Sequence, residues 1–188
     1  MEGAPAVAII RGSFTGIDPG ARWTGVVTID AQGRVINGGT VGPRNGRGEL
    51  EPDRLDAVFK SDPQKFVSGV RRYTLQIVEL VDELAVIAER ATGHVPAIGI
   101  ERYTYNHRKM AGTSWLVPLM VVQGLAVHYP DARLVAPAPV ADTSIYPSAL
   151  RGRHPEGWLM RDEPNNRRNH EQSAWDVASE LAAAEVAR

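Results

Sequence analysis

Residues 14–41 read as three short strands joined by tight connections, and a long helix-period segment follows them; that order constrains the fold more than any other feature. The segment 14–18 stops at Pro19-Gly20, where proline cannot donate to a ladder and glycine favours a turn. Residues 23–29 (WTGVVTI) are rich in β-branched and aromatic side chains, and Ala31-Gln32-Gly33 suits a hairpin turn before a third alternating run, 34–41. Three strands so connected imply an antiparallel meander. Residues 42–61 are polar and rich in Gly and Pro, which predicts an exposed loop. From Pro63 to about Ala91 the apolar positions Phe66, Val70, Tyr73, Ile77, Leu80, Leu84 and Ile87 recur three or four apart. That spacing predicts one long amphipathic helix, with Asp62-Pro63 as its start and Gly93 as its stop.

The rest of the chain alternates. Residues 96–100 (PAIGI) form a short apolar run that suits a buried strand and ends at Glu101. Residues 115–129 predict a helix apolar nearly all round, and 133–136 another short strand. The segment 144–169 reads as mostly loop, and 170–187 as a final helix rich in Ala, Leu and Glu. Strands and helices mixed in this way imply an α/β layer fold with a partly parallel sheet. A length of 188 residues suits a single domain spanning 1–188, with 1–12 as a flexible N-terminus.

Composition excludes several classes. The chain has no cysteine, so disulfides, thiolate zinc sites and a cysteine nucleophile are out, and a reducing cytoplasm is the expected location. The N-terminus lacks the basic start of a signal peptide. The longest apolar stretch, 115–127, is broken by Pro118, Gln123 and Gly124 and falls short of the roughly 20 residues a bilayer requires. A net charge of −1 speaks mildly against nucleic-acid binding. The cations, however, are nearly all arginine, whose planar fork suits phosphate, and they gather in predicted loops.

Three acids stand out by position: Asp18 ends the first strand, Glu101 ends the fourth, and Asp176 lies in the last helix. Strand ends are where open α/β sheets place their ligands, and converging carboxylates form the hard-oxygen set that Mg²⁺ or Mn²⁺ prefers. Two such ions about 3.5–4 Å apart activate a water and stabilise a leaving 3′ oxygen. Spacing alone does not separate these residues from three unrelated surface acids.

The local residues add a resemblance. Gly16-Ile17-Asp18-Pro19-Gly20, with Thr24-Gly25 following, resembles the opening hairpin of the RuvC-type Holliday-junction resolvases. Ala97-Ile98-Gly99-Ile100-Glu101 resembles their second acidic strand, Gln123-Gly124 a motif of the next helix, and 170–178 (HEQSAWDVA) their last catalytic helix. The likeness runs from about Phe14 to the C-terminus and is similar to what a phage-encoded or divergent member would show. It implies an RNase H-like fold: a mixed five-stranded sheet, three antiparallel strands then two parallel, with helices on both faces. It also implies a Mg²⁺-dependent endonuclease, Mn²⁺ substituting, that cuts four-way or other branched DNA as a homodimer. Asp18, Glu101 and Asp176 are then the metal-binding acids.

Two departures matter. Where the family carries an acid or histidine three residues before its final aspartate, this chain has Ser173. His170 is taken as the fourth ligand, although it lies about 240° around an ideal helix from Asp176; Glu171, Ser173 and water remain open. The family's lysine-bearing DNA loop is not evident, and Arg151 and Arg153 are its candidate replacements. Tyr103 and Tyr105, interleaved with Arg108 and Lys109 after Glu101, are the candidates for base stacking and phosphate contact. Two other readings are kept: a branched-DNA-binding module that does not cut, and a small YqgF-like nuclease acting on RNA. A sugar-kinase-like phosphotransferase is disfavoured, because the chain leaves no second domain to close over ATP.

Overall fold

A computed structural model of the chain describes residues 12–102, 115–136 and 170–186. The expected flexible N-terminus (all but Gly12) and the expected loop at 144–169 lie outside the described residues. Five strands form one sheet in the order β3-β2-β1-β4-β5: β1 (Ser13–Asp18), β2 (Thr24–Asp30), β3 (Val35–Val41), β4 (Ala97–Glu101) and β5 (Arg133–Val135). The first three pair antiparallel, while β4 pairs parallel to β1 and β5 parallel to β4. The expected sheet of three antiparallel strands followed by two parallel ones is therefore present. The β2–β3 turn has a local cause: Gly33 takes φ 75°, and Asp30 Oδ1 accepts from the amides of Gln32 and Arg34, each at 2.9 Å.

Helices cover both faces. α1 (Arg54–Phe59), α2 (Pro63–Thr92) and α3 (Leu116–His128) lie on one side, and α4 (His170–Val186) on the other. Period-two alternation sorts β1 between them: Ile17 joins the core built with α2 and α3, and Phe14 the core built with α4. The apolar stripe of α2 is buried through Phe66, Val70, Tyr73, Ile77 and Leu84, joined by Val81, whereas of the expected positions Leu80 is partly buried and Ile87 is exposed. The Asp62 side chain caps that helix by accepting from Lys65 N at 3.0 Å, and Gly93 ends it at φ 76°. The segment 42–61 departs from the expected loop. Leu55, 2% exposed, carries α1 into the core, where it packs against Gly69 of α2; a Cβ on Gly69 would come within 2.8 Å of it.

α4 presses directly on sheet backbone. A Cβ on Gly16 would overlap the Ala174 carbonyl, and one on Gly25 the carbonyl of His170. These two glycines are required by the close approach of a helix, not by their own dihedral angles. Farther along, Val177 and Leu181 line Gly99 of β4, and Arg133 of β5 pairs with Glu185. The helix thus runs back along β1 with its first turn at the C-terminal ends of β1 and β4. That placement builds the site.

Candidate metal and nucleic-acid site

The β1–β4 register pairs Gly16 with Gly99 and Ile17 with Ile100; its continuation sets Asp18 beside Glu101. Both acids end their strands on the α4 face, where the parallel pair opens. The first residue of α4, His170, reaches the same place, and its Nδ1 lies 2.7 Å from Asp18 Oδ2. A carboxylate can only accept, so the shared proton sits on Nδ1. In the neutral imidazole Nε2 then keeps a lone pair, held beside Gly20, where a Cβ would come within 3.3 Å of it. Neither partner is deeply buried: the side chains are 16% exposed at Asp18 and 27% at His170. Asp18 Oδ1 and His170 Nε2 are donors of the oxygen and imidazole kinds that divalent cations take.

Asp176 is placed differently. It is buried in α4, six residues beyond His170, which corresponds to about 9 Å of rise and about 240° of rotation. One face of the helix therefore cannot present both residues to one point. Among the described residues, no three Asp, Glu or His side chains converge closely enough to hold a metal ion. Asp18 touches His170, and Glu101 is next in register. The two carboxylates are of the kind a hard divalent cation takes, whereas the imidazole is a borderline donor. Ser173 sits one turn before Val177, toward the Glu101 end of β4.

A third acid accompanies this group. Glu171 is 3% exposed, and its Oε1 has no hydrogen-bond partner. Burial pushes its carboxyl above the usual range, opposed by its own backbone hydrogen bond and by His170, while Asp18 pushes it further up. Across Gly25, over which the His170–Glu171 peptide lies, Thr40 Oγ1 is likewise buried and unpartnered. Periodicity could not have found this cluster, because it arises where α4 crosses β2 and β3.

On the opposite face, Tyr73 Oη lies 2.8 Å from Thr24 Oγ1, 3.3 Å from the Val41 carbonyl and 3.4 Å from the Gly20 carbonyl. Desolvation raises this phenol far above its ordinary range, so it stays protonated. The sequence marked Tyr73 only as a core position; its hydroxyl group was the missed signal, since a buried tyrosine O–H needs a partner. The candidate DNA contacts Tyr103, Tyr105, Arg108, Lys109, Arg151 and Arg153 lie outside the described residues. Among the described residues no helix is long and apolar enough to cross a membrane.

The sheet order, the strand senses and the helix across β1 define an RNase H-like fold of the RuvC kind. No family model matches the chain, and no curated protein matches it. Among solved structures it is similar to T. thermophilus RuvC in complex with Holliday junction substrate, with TM-score 0.51, 15% identity, and coverage of 95% of this chain and 96% of that one. A second structure of Thermus thermophilus RuvC aligns with TM-score 0.47 and 14% identity over 93% and 96% of the two chains. At 15% identity the first likeness is one of fold.

Proposed function

We propose that this chain is a divalent-metal-dependent endonuclease that cuts four-way or otherwise branched DNA as a homodimer. The observation that carries the reading is the contact of His170 with Asp18 at the sheet end where Glu101 also terminates. Asp18, Glu101, His170 and Asp176 are the proposed ligands of Mg²⁺, or Mn²⁺ in its place; among the described residues no three of them converge, so they would have to draw together on binding. The ion would supply a polarised water and positive charge for the leaving 3′ oxygen. The chain's own residues do the rest. Asp18 fixes the imidazole through Nδ1 and so sets the direction of Nε2. The α4 backbone, seated on Gly16 and Gly25, sets the depth of that imidazole over the sheet.

The RuvC structure with its junction substrate supports branched DNA as the ligand by likeness of fold. A four-way junction needs two matched cuts, and a twofold dimer brings one site to each. Exposed Val67, Leu75 and Val86 on α2 and Val127 on α3 support those helices as the interface. Tyr103, Tyr105, Arg108, Lys109, Arg151 and Arg153 are proposed as the DNA contacts. Ser173, in place of an acid, favours a second reading: a branched-DNA-binding module that does not cut. One assay tests both. Labelled four-way junction, fork and duplex are incubated with Mg²⁺, with Mn²⁺ or with neither. Paired cuts on the junction bear out the nuclease; tight binding without cutting even in Mn²⁺ leaves the binding module.

A further inference from the structure

We infer that Tyr73 and Thr24, on the sheet face opposite α4, are positioning residues for the Asp18–His170 pair; this rests on the nuclease reading above. The argument starts at Gly20, two residues beyond Asp18 in the β1–β2 turn. Both backbone groups of Gly20 are held from below: its amide lies 3.4 Å from Thr24 Oγ1, and its carbonyl 3.4 Å from Tyr73 Oη. Thr24 Oγ1 and Tyr73 Oη join at 2.8 Å, and Tyr73 Oη also reaches the Val41 carbonyl at 3.3 Å. Either hydroxyl of the Thr24–Tyr73 pair could donate, but one arrangement of protons serves every group. Gly20 N–H donates to Thr24, the threonine hydroxyl donates to the phenol, and the phenol proton is shared between the two carbonyls. Every hydroxyl proton is used, so no donor is left to let the turn drift.

The upper side of the same glycine carries the imidazole. A Cβ on Gly20 would lie 2.7 Å from His170 Cε1, so the ring rests against the glycine Cα with no room between them. Gly20 is thus gripped by α2 from one face and bears on His170 from the other. Tyr73 is 1% exposed and belongs to a thirty-residue helix, which makes it a stiff post. A tyrosine kept only to fill the core would need a single partner for its hydroxyl. This one instead ties the turn that ends in the site to the C-terminal end of β3.

Three variants test the inference: Tyr73→Phe, Thr24→Val, which keeps shape without the hydroxyl, and Thr24→Ser, which keeps the hydroxyl. The readouts are the imidazole ¹H–¹⁵N resonances of His170 in metal-free protein, assigned with His170→Ala, Mg²⁺ binding by calorimetry, and single-turnover cleavage at saturating junction. Tyr73→Phe and Thr24→Val should move the His170 resonances. They should also weaken Mg²⁺ binding and slow cleavage by about 10-fold, the lower range for groups that orient metal ligands, with junction affinity unchanged. Thr24→Ser should behave as wild type. His170 resonances that stay put in Thr24→Val, or a Thr24→Ser as impaired as Thr24→Val, overturn the inference. Should Tyr73→Phe not fold, the Thr24 pair decides alone. If the resonances respond while the wild-type protein neither binds Mg²⁺ nor cuts, the positioning role stands and the nuclease reading falls.

Discussion

His170 Nδ1 meets Asp18 Oδ2 at 2.7 Å across a separation of 152 residues, joining the first strand to the first turn of the last helix. The contact depends on the backbone beneath it, since α4 reaches Asp18 only by lying on Gly16 and Gly25.

Removing the charge of either strand-end acid should silence cleavage. Asp18→Asn and Glu101→Gln keep shape but lose the anionic oxygens, and each should lower the single-turnover rate by at least about 10²-fold, as loss of one charge-stabilising group does. Thermal stability and junction binding should change little. Near wild-type cutting in Mg²⁺ by either variant would mean that the metal set is misassigned.

The last helix offers His170 and Asp176, which one helical face cannot present together. His170→Ala should cripple cleavage because it removes the partner of Asp18. Ser173→Asp should then be neutral or harmful, as the imidazole already occupies the vacancy. Asp176→Asn completes the set: a loss equal to that of His170→Ala at full folding would keep Asp176 among the ligands. A normal cutting rate would remove it. Mg²⁺ titrations of the three variants give the answer.

The glycines under α4 should be intolerant of a single methyl. Gly16→Ala and Gly25→Ala place a Cβ inside the Ala174 and His170 carbonyls and should each cost about 1–3 kcal/mol or more, as overpacking does. Gly39→Ala is the control. Its Cβ would meet Leu80 at an ordinary 3.6 Å, so a shift within about 1 kcal/mol is expected. Denaturant melts compare the three, and equal melting of Gly16→Ala and Gly39→Ala would contradict the seating of the helix.

Glu171 should make the metal-free protein less stable as pH rises. Its folded-state carboxyl is held above the ordinary 4.5, so the native state binds the proton more tightly than the unfolded chain. Stability is therefore fully present below that value and declines as pH climbs through the raised one. Glu171→Gln removes the titration. It should be more stable than wild type at pH 8, by about 1–2 kcal/mol for a buried carboxyl with one oxygen unpartnered, and no more stable at pH 4. An advantage that does not vary with pH would place its origin in packing.

What the sequence determined by itself is what neighbours in the chain decide. Alternation and turn residues placed the β1–β3 meander; the 3.6-residue period, Asp62 and Gly93 placed α2 within a residue or two. The acid at the end of each parallel strand was legible because a strand's end is a local signal. The short helix α1 was not, since six residues among polar neighbours are held by tertiary contacts, Leu55 against Gly69 and Phe59 against Phe66, that periodicity does not encode. Nor were the partners of His170, the burial of Glu171 or the grip of Tyr73 on Gly20. The first two depend on where α4 crosses the sheet and how deep it sits, and the third on how α2 packs on the other face, over separations of up to 152 residues. Local patterning names the elements, but only their close packing brings an imidazole from one end of the chain onto a carboxylate from the other.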